Sequence, residues 1–387
     1  MTYYKDVIFY KGNFYTDKKS ITQSSLHNRF DEPYSLYDID ELKLSSLNDI
    51  ECYDKGIIYV HGFHSNMVHL LWDVIYPSWY GLFHYSEEYQ NNDFQYMSTT
   101  YMYEKYGDKW HKDVVETFSG NKLTTPKLLQ YIYINKPLKI PWLVVGCKKV
   151  GIGNINENLC AERELKYHDN DPIECFVNRI YLRYKIQRNT FIAKSPHETF
   201  PINIIYITNK RPYNNIDILF DELRKDHLTN CTFNIIDWSQ YNFERQLNIL
   251  NSTGIIICGV GTARGNTPFL PNGSIEIQTN THSLNLPNNI NYFDYHIGTL
   301  SKYIKVLNIN KYSLIEAKNN IYSQDLKSYI NNAINNFSNT IFPVNLEDNI
   351  PLDVIKLNNY IKKNKNIFIR WRNSGSNDVG DLMKEII

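Results

Sequence analysis

The amino-acid sequence predicts an α/β protein of two domains, with a doubly wound parallel sheet in its second half. Three observations predict it. The chain has 387 residues, more than one domain of the usual ~100–200 residues holds. Its hydrophobic fraction of 42% supports a packed core and excludes wholesale disorder. Beyond residue 201, apolar runs alternate with amphipathic stretches of helical period. That alternation is the pattern of parallel strands joined by helices.

The elements follow in order. "DVIFYKGNFYTD" predicts a hairpin around Lys11-Gly12-Asn13. "GIIYV" (56–60) is the first buried strand. "HLLWDVIYPSWYGLFHY" has helical spacing, with a break allowed at Pro77. "PWLVVGC" (141–147) is a further buried strand, and "PIECFVNRIYLRYKIQ" (172–187) a helix opened by Pro172. "AKSPHETFP" (193–201) is a linker. Strands then fall at 202–208, 231–238, 254–261 and 274–279, with helices at 216–226 and 241–252. "DLKSYINNAINNF" and "LDVIKLNNYIKKNK" are helical, and "IFIRW" is a short strand. The expected division is 1–195, an N-terminal α/β domain; 196–310, a Rossmann-like domain; and 311–387, a mainly helical extension.

Composition narrows the function. Lys plus Arg and Asp plus Glu each number 41, so nothing points to nucleic acid or a membrane surface as the main partner. The six cysteines form no C-x-x-C pair, which leaves neither a zinc nor a redox motif, and scattered thiols are expected to be buried and reduced. Asn230, Asn251, Asn272 and Asn336 open Asn-x-Ser/Thr triplets of the kind an Asn-rich chain produces by chance. Neither a signal-like apolar segment nor a run of ~18 apolar residues is present, so a cytoplasmic location with no membrane span is expected.

Several stretches carry candidate chemistry. "IIYVHGFHSNMVHLLWD" (57–73) resembles the oxyanion-loop entry of an α/β-hydrolase. No G-x-S-x-G elbow accompanies it, so that loop would have no nucleophile to serve. The same stretch holds Asn66, His69 and Asp73 at i, i+3 and i+7, one face of a helix, which leaves His61 and His64 structural. In "HDNDP", Asp169 and Asp171 could hold a divalent cation, but Pro172 makes them read as an N-cap and turn. "DID" (38–40) reads no better as a metal motif.

Ligands of doubly wound sheets sit at the carboxyl ends of the strands. The loop after 208 carries Lys210 and Arg211, and the loop after 258 reads "GVGTARGNTPFL". Gly259 and Gly261 allow close backbone approach, Thr262 offers a hydroxyl and Arg264 a bidentate donor. Asn266 is placed to cap a short helix, and Glu276 lies on the next strand. Amides at a helix start with Lys and Arg nearby suit a diphosphate.

These blocks, in this order, resemble glycosyltransferase family 61, which includes protein O-linked N-acetylglucosaminyltransferases and plant xylosyl- and arabinosyltransferases. The family's Asn-x-x-His-x-x-x-Asp helix is matched by Asn66, His69 and Asp73. Its strand with a basic segment and a following Asn is matched by "IIYIT", Arg211 and Asn215. Its third block is matched by Gln246, "IIICG", "GVGTARGN", "FLP" and Ile275-Glu276. The likeness spans roughly 56–280. It departs where the family's loop histidine and glycine become Gly261 and Thr262, with Arg264 the residue able to restore the positive charge, and Lys210 is the nearest match to the family's first basic residue. Relatives are luminal and membrane-anchored, so a divergent cytosolic branch, viral or protist, is implied.

The resemblance implies a GT-B fold, two Rossmann-like domains facing a cleft. It implies inverting, metal-independent transfer from a UDP-sugar to a glycan or protein hydroxyl, with no cofactor. Lys210, Arg211, Asn215, Gly259, Gly261, Thr262, Arg264, Asn266 and Glu276 would bind the donor, with the basic groups meeting the leaving charge. His69 or Asp73 would serve as general base and Asn66 would lie on the acceptor side. His69 as a hydrogen-bonded structural histidine stays open. So do a catalytically inactive nucleotide- or glycan-binding relative and a metal-dependent transferase built on Asp169 and Asp171.

Overall fold

The computed structural model describes residues 2–11, 13–17, 22–23, 36–42, 50–60, 67–85, 89, 91–98, 109–133, 136–145, 172–193, 198–208, 215–227, 230–259, 262–279, 301–309 and 323–344. It is mixed α/β with two sheets. The chain divides into two compact units, Met1–Val150 with Asn178–Lys185, and Gly151–Val177 with Ile186–Ile387.

The first unit holds β1 (Thr2–Tyr10), β2 (Asn13–Thr16), β3 (Thr22–Gln23), β4 (Leu36–Asp38), β5 (Glu51–Cys52), β6 (Ile57–Val60), β7 (Gln95–Ser98) and β8 (Leu138–Val145). Among the described residues they make one sheet in the order β4-β2-β1-β8-β6-β7, with β3 on β1 and β5 on β8. The expected hairpin is β1 and β2, antiparallel with Ile8 opposite Tyr15 and Tyr10 opposite Asn13. β6 is parallel to β7 and β8, whereas β1 runs antiparallel to β8. Among the described residues the parallel part of this sheet is β7-β6-β8, with β5 also parallel to β8 and the hairpin added at its flank. Val7, Phe9, Phe14, Ile57, Tyr59, Leu138 and Ile140 share one buried cluster.

The sequence allowed a break at Pro77, and none occurs. An α-helical turn, Met67–His69, runs into a π-helical segment, Leu70–Ile75, and on into α1 (Tyr76–Tyr85). Pro77 has no N–H to give the ladder. Side chains meet the carbonyls upstream of it: Ser78 Oγ donates to Ile75 O at 3.1 Å and also to Val74 O, and Tyr96 OH donates to Ile75 O at 3.2 Å. Leu70, Leu71, Trp72, Val74, Ile75 and Tyr76 are all buried, the composition of a helix packed on every side. α2 (Lys109–Ser119) and α3 (Pro126–Ile132), both absent from the sequence expectation, complete this unit's described helices together with the last turns of α4 (Pro172–Arg183). Arg179 is 1% exposed and lies over Phe94 and Phe118, 5.0 and 5.1 Å from the ring centroids. Its guanidinium donates twice to Phe118 O, at 3.1 and 2.8 Å, and burial pushes its pKa down to about 9.

The second unit is more regular. β9 (Ile202–Thr208), β10 (Cys231–Asp237), β11 (Ile255–Gly259), β12 (Ile275–Thr279) and β13 (Lys305–Asn308) form a five-stranded sheet ordered β10-β9-β11-β12-β13. Every pair in it is parallel. α5 (Ile216–Asp226) joins β9 to β10 and α6 (Phe243–Asn251) joins β10 to β11. The first crossover runs outward and the second runs back past β9. Right-handed crossovers therefore put α5 and α6 on opposite faces. α5 buries Ile216, Leu219, Phe220 and Leu223 against Ile204, Ile255 and Ile277. α7 (Ser323–Asn336) joins the same core through Leu326, Ile330 and Ala333. It belongs to the sheet and does not stand apart as a helical extension.

The expected boundary at 195 also shifts. Thr190 bridges to Asn272, and Arg188 Nη2 donates to Leu270 O at 3.0 Å and to Asn272 Oδ1 at 2.8 Å while pairing with Glu174. Gly273 sits at φ +98°, and a Cβ there would come within 2.7 Å of the Phe191 carbonyl carbon. Only glycine allows the two strands of chain to lie so close. Residues 194–197 of the linker, "LDVIKLNNYIKKNK" and "IFIRW" lie outside the described residues.

Candidate functional site

The order β10-β9-β11-β12-β13 reverses direction between β9 and β11. In an open parallel sheet that reversal opens a crevice at the carboxyl ends of the two strands, because their connections leave toward opposite faces. Asp237 is level with Thr208, and Cys258 with Ile207, so β10, β9 and β11 end together. The expected loops, after Thr208 and Cys258, both begin at this edge.

After β9, Lys210 and Arg211 lie outside the described residues. Asn215 is described. It is exposed, in the left-handed region at φ 65° and ψ 24°, and it heads α5 without a side-chain capping bond. The eleven-residue α5 therefore starts at this edge with its positive dipole end. After β11, Gly259 is the last strand residue, paired with Thr279. Gly261 lies outside the described residues. Thr262 and Arg264 belong to a 3-10 helix, Thr262–Phe269. Asn266 is not the cap it was expected to be. The helix begins four residues earlier, and Asn266 is 2% exposed within it.

Glu276 also differs from expectation. "IEIQT" reads as a strand with one polar face. Here both faces are covered, and Glu276 is 0% exposed, its Oε1 accepting from Cys258 Sγ at 3.1 Å. A carboxylate so placed lies in the interior and not at the protein surface. Gln278 and Thr267 were missed by the sequence reading. Gln278 is 1% exposed and Thr267 0%. The available signal was the pair of polar residues alternating with Ile275 and Ile277 in a central strand, where apolar residues are the rule. Gln246, expected from the third block, is spent on structure: its Nε2 donates to Trp238 O at 3.1 Å and Tyr241 O at 2.9 Å.

In the first unit, Asn66, His61 and His64 lie outside the described residues. The backbone places His69 at the end of the α-helical turn and Asp73 inside the π-helical segment. A π-helix bonds i to i+5 and turns more widely than an α-helix. Of the expected i, i+3, i+7 face of Asn66, His69 and Asp73, the described part is the backbone of His69 and Asp73. Single π turns within helices recur at functional sites.

The metal alternatives fare unequally. Asp169 and Asp171 lie outside the described residues. Asp38 is a cap: its side chain accepts from Asp40 N at 3.2 Å, and Glu41 reaches back to Asp38 N at 3.2 Å. Among the described residues, no three His, Cys, Asp or Glu side chains gather as a metal site. Among the same residues, no helix is long and apolar enough to cross a membrane. Cys175 and Cys258 are buried cysteines outside any disulfide, but Cys52 is exposed, contrary to the expectation of buried thiols.

No protein-family model and no curated protein matches the chain. The functional reading rests on strand order and on the chemistry of the loops at the switch point.

Proposed function

We propose that the second unit binds a nucleoside-diphosphate sugar at the carboxyl ends of β9 and β11, and that the chain is a metal-independent, inverting glycosyltransferase of the GT-B kind. The observation that carries this reading is the all-parallel order β10-β9-β11-β12-β13, whose reversal lies between the two loops richest in phosphate-binding chemistry. Lys210, Arg211 and Arg264 supply positive charge in those loops. The free amides and dipole of α5 add to it.

The chemistry is a displacement at the anomeric carbon. An acceptor hydroxyl, on a glycan or a protein, attacks as the diphosphate leaves. The charge growing on the leaving group is met by basic side chains and amides. A general base takes the hydroxyl proton, for which His69 and Asp73 are the candidates.

A thermal-shift panel of nucleotides and nucleotide-sugars tests the reading. A ligand of the folded state raises Tm with concentration. UDP or one UDP-sugar should do so equally with and without EDTA. If none of the panel shifts Tm, the proposal is wrong. One sequence feature favours a second reading, an inactive binder: Gly261 stands where the resembled family has a histidine. Slow hydrolysis of the bound UDP-sugar over a long incubation marks an active enzyme, and an intact donor marks the binder.

A further inference from the structure

Beside the switch point, the sheet face opposite α5 hides polar groups that no described residue satisfies. Gln278 is one residue short of the carboxyl end of β12 and level with Cys258 of β11. It lies two residues from Glu276, so both side chains leave the same face of the strand. Glu276 meets Cys258 across that face at 3.1 Å. Gln278 is 1% exposed, and both its Nε2 and its Oε1 lack a hydrogen-bond partner among the described residues. Thr267, in the 3-10 helix after β11, is 0% exposed, and its Oγ1 also lacks one. A buried carboxamide with neither end bonded is costly, and native interiors rarely carry one. Such violations concentrate where function requires them.

We propose that Gln278 reads the base of the nucleotide, its Nε2 donating to a ring carbonyl and its Oε1 accepting from the adjacent ring N–H, with Thr267 on the same wall. This inference rests on the nucleotide reading above and names the group that sets its base preference. A carboxamide offers one donor beside one acceptor. A diphosphate only accepts, so it would leave Oε1 unmet. A sugar ring carries hydroxyls around its rim, whereas Ile256 on this face and Phe269 after β11, both 0% exposed, offer apolar surface beside the polar groups of Gln278, Glu276 and Thr267. A flat heterocycle with a –CO–NH– edge fits both features. Because Gln278 is covered, base entry displaces part of what covers this face.

The test is calorimetric titration of the full chain with UDP and with inorganic pyrophosphate. In the wild type, UDP should bind at least about tenfold tighter than pyrophosphate, the difference being the base. Gln278→Met keeps the volume and removes both polar atoms. It should weaken UDP by about tenfold, leave pyrophosphate unchanged and raise the Tm of the ligand-free protein, since a buried unbonded amide is gone. Thr267→Val should act in the same direction on UDP. Equal wild-type affinity for the two ligands overturns the inference without any variant. So does a Gln278→Met protein in which UDP and pyrophosphate change together or not at all. A wild type that binds neither ligand removes the nucleotide reading itself, and the inference with it.

Discussion

At the scale of single residues, Arg211 and Arg264 are the strongest claimants to a ligand. Guanidinium groups pair with phosphate through two parallel N–H bonds, which a lysine cannot reproduce. Replacing either with Ala should cost UDP binding about 1.5–3 kcal/mol, the scale of a charge-assisted hydrogen bond. Titration calorimetry decides it: unchanged affinity in both variants leaves the chain without a phosphate site in these loops. His69→Ala makes the complementary case. UDP affinity should hold while transfer falls, and transfer at the wild-type rate would make His69 a structural residue. These types were legible in the sequence because charge and loop position are local properties. The burial of Glu276 was not, because it depends on which helices cover the two faces of β12. Arg188 shows the same divide. Its pairing with Glu174, at 10% and 12% side-chain exposure, joins residues fourteen apart in sequence to the turn at Leu270–Asn272. No spacing rule foretells that contact.

At the scale of elements, apolar runs and helical patterns placed β9 to β12 and α5 to α7 to within a few residues, and missed β13. A buried parallel strand is nearly all apolar and an α/β helix is amphipathic, so each writes its pattern into the chain. The π-helical segment at Leu70–Ile75 shows where pattern fails. Proline signals a missing N–H, yet the helix runs on through Pro77, with Ser78 and Tyr96 both bonding the Ile75 carbonyl beside it. β5 and α3 meet in a second such contact. Tyr53 follows β5, its ring lies edge-on to Tyr133 at 6.2 Å, and its OH reaches Gln95 Oε1 at 3.4 Å. Burial, then the neighbouring Tyr133 and Asp54, push its pKa from 10.0 up to about 12. Folding thus favours the protonated phenol. The stability it contributes is fully present below about pH 10 and is lost as pH rises toward about 12, where the unfolded chain has given up the proton and the folded one has not. Urea unfolding across that window should show a shallower alkaline loss in Tyr53→Phe than in the wild type. Parallel curves would remove Tyr53 as a cause.

At the scale of the whole molecule, the two units answer differently to a donor. The doubly wound sheet lies in the second unit, and the mixed sheet in the first. UDP should slow amide hydrogen exchange at the ends of β9, β11 and β12 more than in the β1–β2 hairpin, because bound ligand stabilises the segments it touches. Protection confined to the first unit would place the nucleotide elsewhere and end the proposal. The sequence by itself determined the α/β class, the alternation of strands and helices from 202 to 279, and the basic loops after Thr208 and Cys258, all consequences of local pattern. Only the tertiary structure decided strand order, the antiparallel join of β1 to β8, the place of α7 in the second core, and the burial of Glu276 and Gln278. The physical reason is range. Hydrogen-bonding period and turn chemistry act over a few residues. Which strand lies beside which, and which face is covered, is set by contacts between segments tens to hundreds of residues apart.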